Sequence, residues 1–314
     1  MATFLLTGCA GFIGSHLTEA LLTRGDHVLA LDAFRDYYPR SLKELNIAQA
    51  RESQNFELIE ANLENLEFDT LVDGLDGIFH LAAQPGVRGS WGETFALYAR
   101  DNVIATQRVF ETATRANVRV VWASSSSVYG NAEAYPTAEQ TRPRPISPYG
   151  VTKLSCEHLA TAYAESFGLD HVALRYFTVY GPRQRPDMAF SRIGQALAEQ
   201  TVFPVYGTGE QTRDVTFVAD AVSATLAAME LAPPGSIYNI GGGSETSLNE
   251  VISVAERLVG RPLEVRREPA ASGDVRRTAA DTTRAKAELE WRPETPLEEG
   301  LRAQLRAAGI PIRE

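Results

Sequence analysis

The stretch Thr7-Gly8-Cys9-Ala10-Gly11-Phe12-Ile13-Gly14 decides the fold of this chain. The apolar run Thr3 to Thr7 leads into it as a strand, and Gly14 to Thr23 leaves it as a helix. Glycines at positions 8, 11 and 14 let the backbone approach a pyrophosphate, whose charge a helix N-terminus stabilises. An isolated match would be no more than a tight turn; a strand before it and a helix after it make it a phosphate loop.

Working outward, short β-rich runs alternate with stretches of helical length through the first 175 or so residues, the pattern of a parallel sheet covered on both faces. Strands are predicted at Thr3 to Thr7, His27 to Asp32, Gly77 to Leu81, Arg119 to Ser124 and Asp170 to Tyr176, with helices at Gly14 to Thr23, Phe95 to Ala116 and Tyr149 to Phe167. Right-handed crossovers then give an α/β, doubly wound Rossmann sheet. After Tyr180 the pairs Gly181-Pro182, Arg185-Pro186 and Phe203-Pro204 break the chain into shorter elements. A helix at Val218 to Leu231 and a strand at Ile237 to Ile240 restore the earlier pattern. The expected division is residues 1–176 plus about 214–240 for the dinucleotide and residues 177–213 plus 241–314 for a smaller, discontinuous substrate domain.

Asp32 ends the second predicted strand, close to the separation of about 20 residues at which a carboxylate meets the adenosine ribose. It would accept hydrogen bonds from both ribose hydroxyls and repel a 2′-phosphate, so NAD is expected rather than NADP. Arg35 could offset that repulsion or simply be a solvated loop charge. Asn62, in Glu60-Ala61-Asn62-Leu63, is placed either to meet the adenine or to make a turn.

Bulk composition narrows the partners. The 314 residues are 44% hydrophobic with a formal net charge of −10, and charges of both signs are interspersed. A dense basic face for nucleic acid is absent. Cys9 and Cys156 are far apart and outside any CxxC pattern, so neither a disulfide framework nor a metal centre is expected. His16, His27, His80, His158 and His171 are scattered without metal spacing. With no basic leader and no apolar run of roughly 18 residues, a soluble cytoplasmic protein is expected.

Two further stretches carry chemistry. Ser124-Ser125-Ser126-Ser127 lies at the carboxyl end of the strand through Val120 and Trp122, where doubly wound sheets place their sites. In Pro148-Tyr149-Gly150-Val151-Thr152-Lys153, the tyrosine and lysine fall one turn apart on one helix face. A phenol of pKa near 10 is a poor base at neutral pH. A nearby ammonium and a cationic nicotinamide favour the phenolate, which can then accept a hydroxyl proton as hydride leaves the same carbon. A serine hydroxyl can relay that proton. YxxxK arises often by chance, but not often after a glycine loop, Asp32 and a strand-end serine run.

On the stretches TGCAGFIGSHL, HLAAQPGVR, ASSSSVYG, SPYGVTK, RYFTVYGPRQRPDMAF, VYGTGEQTRDVTFV, YNIGGG and SGDVRRTAAD, nearly the whole chain resembles the extended short-chain dehydrogenases/reductases of the nucleotide-sugar epimerase and dehydratase group. Within that group it is most similar to UDP-glucuronate 4-epimerases. The resemblance implies Ser125 as catalytic hydroxyl, Tyr149 as base and Lys153 as its partner. It implies cofactor contacts from Gly8, Gly11, Phe12, Ile13, Asp32, Asn62, Leu63, Leu81, Ala82, Ala83, Asn102 and Tyr176, beside Gly14.

The resemblance also narrows the reaction. Dehydratases of the group carry an Asp-Glu pair directly after the catalytic hydroxyl residue, and its decarboxylases carry a Glu nearby. Here Ser126 and Ser127 stand in those places, and neither can serve as a carboxylate acid or base. Epimerisation needs no such group, because the ketone turns and takes hydride back on its other face. Thr178, where many UDP-hexose epimerases have Asn, and the fork of Arg185 point to a uronic acid carboxylate; a surface role for Arg185 is the competing account. Together with Ser126 and Ser127 they would hold that carboxylate still, since a 4-keto uronic acid is a β-keto acid prone to lose carbon dioxide.

For the nucleotide, Arg213 and Arg276 align with pyrophosphate positions and Arg88 is a further candidate, while Phe203, Val205 and Tyr206 are expected to border the uracil. Where relatives often have an arginine before a Gly-Asp pair, Gly273-Asp274 follows Ala270-Ala271-Ser272, so Arg276 or Arg192 would replace it. The helices at Phe95 to Ala116 and Tyr149 to Phe167 resemble those that pair across a two-fold in the group, which implies a homodimer. Three rivals remain: a UDP-glucose or UDP-N-acetylglucosamine 4-epimerase, a non-catalytic dinucleotide sensor, and a Rossmann scaffold in an assembly.

Overall fold

Side chains alternate along a strand, so one strand can serve two cores. In β1 (Thr3–Thr7), Phe4 and Leu6 belong to one apolar cluster and Leu5 to another. The structure is a computed structural model that describes residues 1–66, 68, 71–269 and 275–313. On either side of β1 lie β2 (His27–Asp32) and β4 (Gly77–His80), then β3 (Phe56–Glu60) beyond β2 and β5 (Val120–Ser125), β6 (His171–Tyr176) and β10 (Ser236–Ile240) beyond β4. Every pairing is parallel, and the order β3-β2-β1-β4-β5-β6 with β10 at the edge is that of a Rossmann sheet.

Helices α1 (Phe12–Thr23) and α7 (Val218–Leu231) cover one face and pack on each other, while α4 (Ala105–Ala116) and α5 (Pro148–Phe167) cover the other. The stop and start chemistry of α5 is local. Ser147 accepts a hydrogen bond from Gly150 N at 3.1 Å, Pro148 fills the first turn, and Gly168 ends the helix at φ +72°. Phe95 to Ala116 is not the single α-helix expected. Between α3 (Phe95–Tyr98) and α4, residues Ala99–Ile104 make a wider π turn, which carries Asn102 into the interior.

The remaining chain builds a smaller layer. Strand β7 (Thr178–Tyr180) pairs with β9 (Thr212–Phe217), which pairs with β11 (Glu245–Ser247); β8 (Phe203–Tyr206) pairs with β12 (Val265–Glu268). Helices α6 (Ala189–Glu199), α8 (Leu248–Val259) and α10 (Leu297–Ala307) close a second core around Phe190, Leu197, Phe203, Val215, Leu258 and Leu301. Thus α7 and β10 return to the large sheet, whereas β9 stays with the small one. The short helices α2 (Arg40–Asn46) and α9 (Thr283–Glu288) complete the α-helices among the described residues. No helix among them is long and apolar enough to cross a membrane, and none of their His, Cys, Asp and Glu side chains cluster as metal ligands.

Candidate active site

A cavity of about 440 Å³ opens along the carboxyl ends of β1, β2, β4, β5 and β6, the switch point at which a sheet of this order binds ligands. Gly8, Gly11, Phe12, Ile13, Gly14, Asp32, Asn62, Leu63, Leu81, Ala82, Ala83 and Tyr176 line it, and so do Tyr149 and Lys153. Packing inside the protein dictates two of the glycines. A Cβ on Gly8, which sits at φ +77°, would stand 2.7 Å from Ala82 N, and one on Gly14 would stand 2.0 Å from Gly8 O. The loop is therefore built to bring α1 against the strand ends, which is what exposes the helix N-terminus. Backbone bonding within α1 begins with Ser15 N to Gly11 O at 3.0 Å, so the first-turn N–H groups remain for an anion.

Asp32 is fixed from behind. Its carboxylate accepts from Ala10 N at 3.1 Å and Phe34 N at 2.7 Å, and Lys43 Nζ lies 3.7 Å away. Lys43 is a buried lysine of the cavity wall, and no sequence motif marks it. Arg35 is engaged by Asp101 at 3.3 Å and Glu64 at 3.8 Å, so it is not set aside for a 2′-phosphate. Asn62 turns its amide onto Glu64 Oε1 at 2.9 Å. These residues fit a dinucleotide with a free ribose 2′-hydroxyl: an open helix N-terminus for the pyrophosphate and an oriented carboxylate for the ribose.

Asn102 is the exception among the expected cofactor contacts. It is fully buried and outside the lining, with Oδ1 accepting from Gln84 N at 2.7 Å and Nδ2 donating to Gln84 O at 3.1 Å and Thr152 Oγ1 at 3.0 Å. Thr152 Oγ1 in turn donates to Tyr149 O at 2.8 Å. Asn102 lies within the π turn, and its amide clamps Gln84 of the cavity wall to Thr152 of α5.

Ser125 ends β5, opposite Tyr176 in the register, and its Oγ accepts from Ser127 N at 3.1 Å, which leaves its O–H to donate. Ser126 and Ser127 are half-buried in the same wall. Lys153 is buried and donates from Nζ to Ala123 O at 2.8 Å, the strand residue two before Ser125. The Tyr149 ring meets the Tyr98 ring edge-on at 6.3 Å, and Tyr98 is anchored through its hydroxyl to Pro85 O at 2.8 Å. Beneath them lies a buried ion pair the sequence did not announce. Arg175 forks onto Glu157 at 2.9 and 2.7 Å, and Ser124 Oγ donates to the same carboxylate at 2.6 Å. It locks β5, β6 and α5 together directly under the serine run. A hydroxyl, a phenol and an ammonium converging on one cavity beside a dinucleotide cradle can take a proton from a substrate hydroxyl while hydride leaves its carbon.

Thr178 and Arg185 line the same cavity. The Arg185 guanidinium is not idle: Nε meets Asp187 Oδ1 at 3.0 Å and Nη2 meets Oδ2 at 3.1 Å. Of the residues expected at the nucleotide end, Arg88, Arg192, Val205, Tyr206, Arg213 and Arg276 all lie outside this lining. Val205 must be corrected: strand alternation in β8 buries Phe203 and Val205 in the second core and turns Pro204 and Tyr206 outward. Arg88 lies 4.5 Å above the Tyr206 ring, and Arg192 lies 5.5 Å from the Phe203 ring centre. Arg213 donates to Thr212 O at 2.9 Å, and exposed Arg276 meets β9 through its carbonyl, which accepts from Thr212 N at 3.1 Å. The 270–274 stretch, where relatives often have an arginine, lies outside the described residues.

A family model described as GDP-mannose 4,6 dehydratase matches residues 5–304. An uncharacterized UDP-glucose epimerase of Bacillus subtilis is 43% identical over 302 residues, 95% of each chain. A UDP-glucuronate 4-epimerase of Thermodesulfobacterium geofontis is 36% identical over 311 residues, covering 96% of this chain and 94% of its own. Among solved structures, UDP-glucuronic acid 4-epimerase from Bacillus cereus, in complex with UDP-glucuronic acid and NAD, superposes with a TM-score of 0.95 at 39% identity over 98% of this chain and 99% of the other. With the glycine loop, the strand order and the Ser/Tyr/Lys wall already in place, this match over almost the full length means that the chain belongs to the GDP-mannose 4,6 dehydratase family of extended short-chain dehydrogenases/reductases.

Proposed function

We propose that this protein is an NAD-dependent 4-epimerase of UDP-sugars that interconverts UDP-glucuronate and UDP-galacturonate. The observation that carries the reading is the wall formed by Ser125, Tyr149 and Lys153, in which Ser126 and Ser127 occupy the two places next to the hydroxyl residue. NAD, when bound, accepts hydride from C4 of the sugar and gives it back. Tyr149 takes the C4 hydroxyl proton, Ser125 hydrogen-bonds that hydroxyl and orients it, and Lys153 stabilises the tyrosine anion. On return, Tyr149 gives the proton back to the same oxygen. No side chain beside Ser125 can move a proton at a neighbouring carbon, so elimination of water has no acid or base there.

Gly8, Gly11, Gly14 and Asp32, with Lys43 behind the carboxylate, hold the cofactor; Phe12, Ile13, Asn62, Leu63, Leu81, Ala82, Ala83 and Tyr176 complete its walls. Thr178 and Arg185, with Ser126 and Ser127, hold the uronate carboxylate in the sugar plane and so suppress its loss as carbon dioxide. Residues 1–176 with α7 and β10 form the cofactor half, and 177–213 with 241–314, joined by β9, cover the substrate. Arg88 and Tyr206, with Arg213, Arg276 and Arg192, sit on the nucleotide side. The helices α3 to α5 form the two-fold contact of a cytoplasmic homodimer.

The test is direct. Incubated separately with UDP-glucuronate, UDP-glucose and UDP-N-acetylglucosamine, the enzyme should yield the C4 epimer of the uronate, resolved by proton NMR. Turnover of the neutral sugars alone would replace the uronate reading with the hexose one, and turnover of none would leave a dinucleotide sensor.

A further inference from the structure

Asp187 is engaged with the very group that the uronate reading assigns to substrate. A guanidinium offers a fork on two edges, one through Nε and Nη2 and one through Nη1 and Nη2. Asp187 takes the first edge at 3.0 and 3.1 Å, and among the described residues Nη1 makes no hydrogen bond to the protein. A second carboxylate must therefore use the Nη1 edge. We infer that Asp187 is a positioning residue for uronate recognition: it holds Arg185 by one edge so that the other is presented to the sugar carboxylate.

The backbone around this pair is already immobilised. Gln184 Nε2 donates to Val179 O at 3.1 Å, Gln304 Nε2 of α10 donates to Gln184 Oε1 at 3.0 Å, and the His16 ring of α1 bonds Pro182 O at 3.0 Å. What remains adjustable is the arginine side chain itself, a long chain with large rotamer freedom. Asp187 removes that freedom, and Tyr37 steadies Asp187 by donating its hydroxyl to Oδ2 at 3.2 Å while its ring lies 5.6 Å from the Arg185 guanidinium carbon. Burial pushes the Tyr37 phenol up to about 12, so it stays a donor at neutral pH.

An opposite account would have Asp187 compete with the substrate for Arg185. Exposure decides between them. Asp187 is 44% exposed and its repulsion of a sugar carboxylate is screened by water, whereas the Arg185 side chain is only 19% exposed and keeps its attraction. Preorganisation then outweighs repulsion.

This inference rests on the uronate reading, so the experiment separates the two. In Asp187→Asn, KM for UDP-glucuronate should rise about tenfold with kcat and the Kd for UDP-glucose nearly unchanged, the signature of lost uniform binding to one substituent. Arg185→Ala should raise the same KM by more, and Asp187→Asn added to Arg185→Ala should do nothing further. A lower or unchanged KM in Asp187→Asn, with Arg185→Ala still impaired, overturns the inference alone. An equal loss toward UDP-glucose also overturns it, since that would be general loosening of the loop. If Arg185→Ala leaves UDP-glucuronate use intact, the carboxylate reading of this site fails and the inference falls with it. Asp187 is exposed, and matching thermal midpoints of the variants will exclude misfolding.

Discussion

The two sides of the cavity are built differently. On the sheet side, the functional groups sit at strand ends and in the first turn of α5, with their geometry set by backbone hydrogen bonds and by a buried Arg175–Glu157 pair. On the other side, Arg185 and Thr178 enter from a short strand and a proline-rich loop, and the alignment of Arg185 depends on one exposed carboxylate. The proposed proton-transfer groups are thus attached to the rigid frame, and the proposed carboxylate contacts to a part that can change without disturbing that frame.

If that contrast is right, variants on the sheet side should damage rate or folding, and variants on the loop side should damage selectivity only. Tyr149→Phe should show the largest effect, a fall of about 10²- to 10⁴-fold in kcat with bound NAD retained; a near-normal rate would remove Tyr149 as the base. Next, Glu157→Gln leaves the 4%-exposed Arg175 side chain without its counter-charge and should lower stability by about 3–5 kcal/mol in urea titration, a loss that a merely superficial pair would not give.

A smaller effect comes from His80, buried between Thr7 Oγ1 at 2.7 Å and Thr106 Oγ1 at 2.9 Å. Burial first, and then the Lys153 charge, push its imidazole down to about 3 from 6.5. Between those values the unfolded chain binds a proton that the folded one does not, so stability rises with pH and is lost as pH falls from about 6.5 toward 3. The slope from this one group is at most about 1.4 kcal/mol per pH unit, and His80→Gln should flatten the pH dependence of the urea midpoint by that share. The smallest change is expected outside the cavity lining: Arg88→Ala removes the stack on Tyr206 and should weaken UDP binding by about two- to fivefold in calorimetry.

The same contrast explains what could be read from the sequence. Strand ends and helix turns have fixed periods, so Gly8, Gly11, Gly14, Asp32, Ser125, Tyr149 and Lys153 could be placed from spacing, and all line one cavity. Positions taken from the resemblance fared less well. Asn102, in the π turn at Ala99–Ile104, is a buried clamp outside the cavity lining, and the regular alternation of β8 puts Val205 in a core. Contacts that depend on folding across the chain left no local pattern: Lys43 beside Asp32, Glu157 under Ser124, and the Tyr37 hydroxyl on Asp187. The pairing of Arg185 with Asp187 is close in sequence, yet only its geometry shows which edge of the guanidinium is spent.

The central claim is that hydride leaves C4 and returns to that same carbon on the opposite face. UDP-glucuronate carrying deuterium at C4 should give UDP-galacturonate that keeps the label at C4, with no deuterium appearing in water. Label lost to solvent would mean that the wall of Ser125, Tyr149 and Lys153 removes a proton from C4 instead, and would contradict the account.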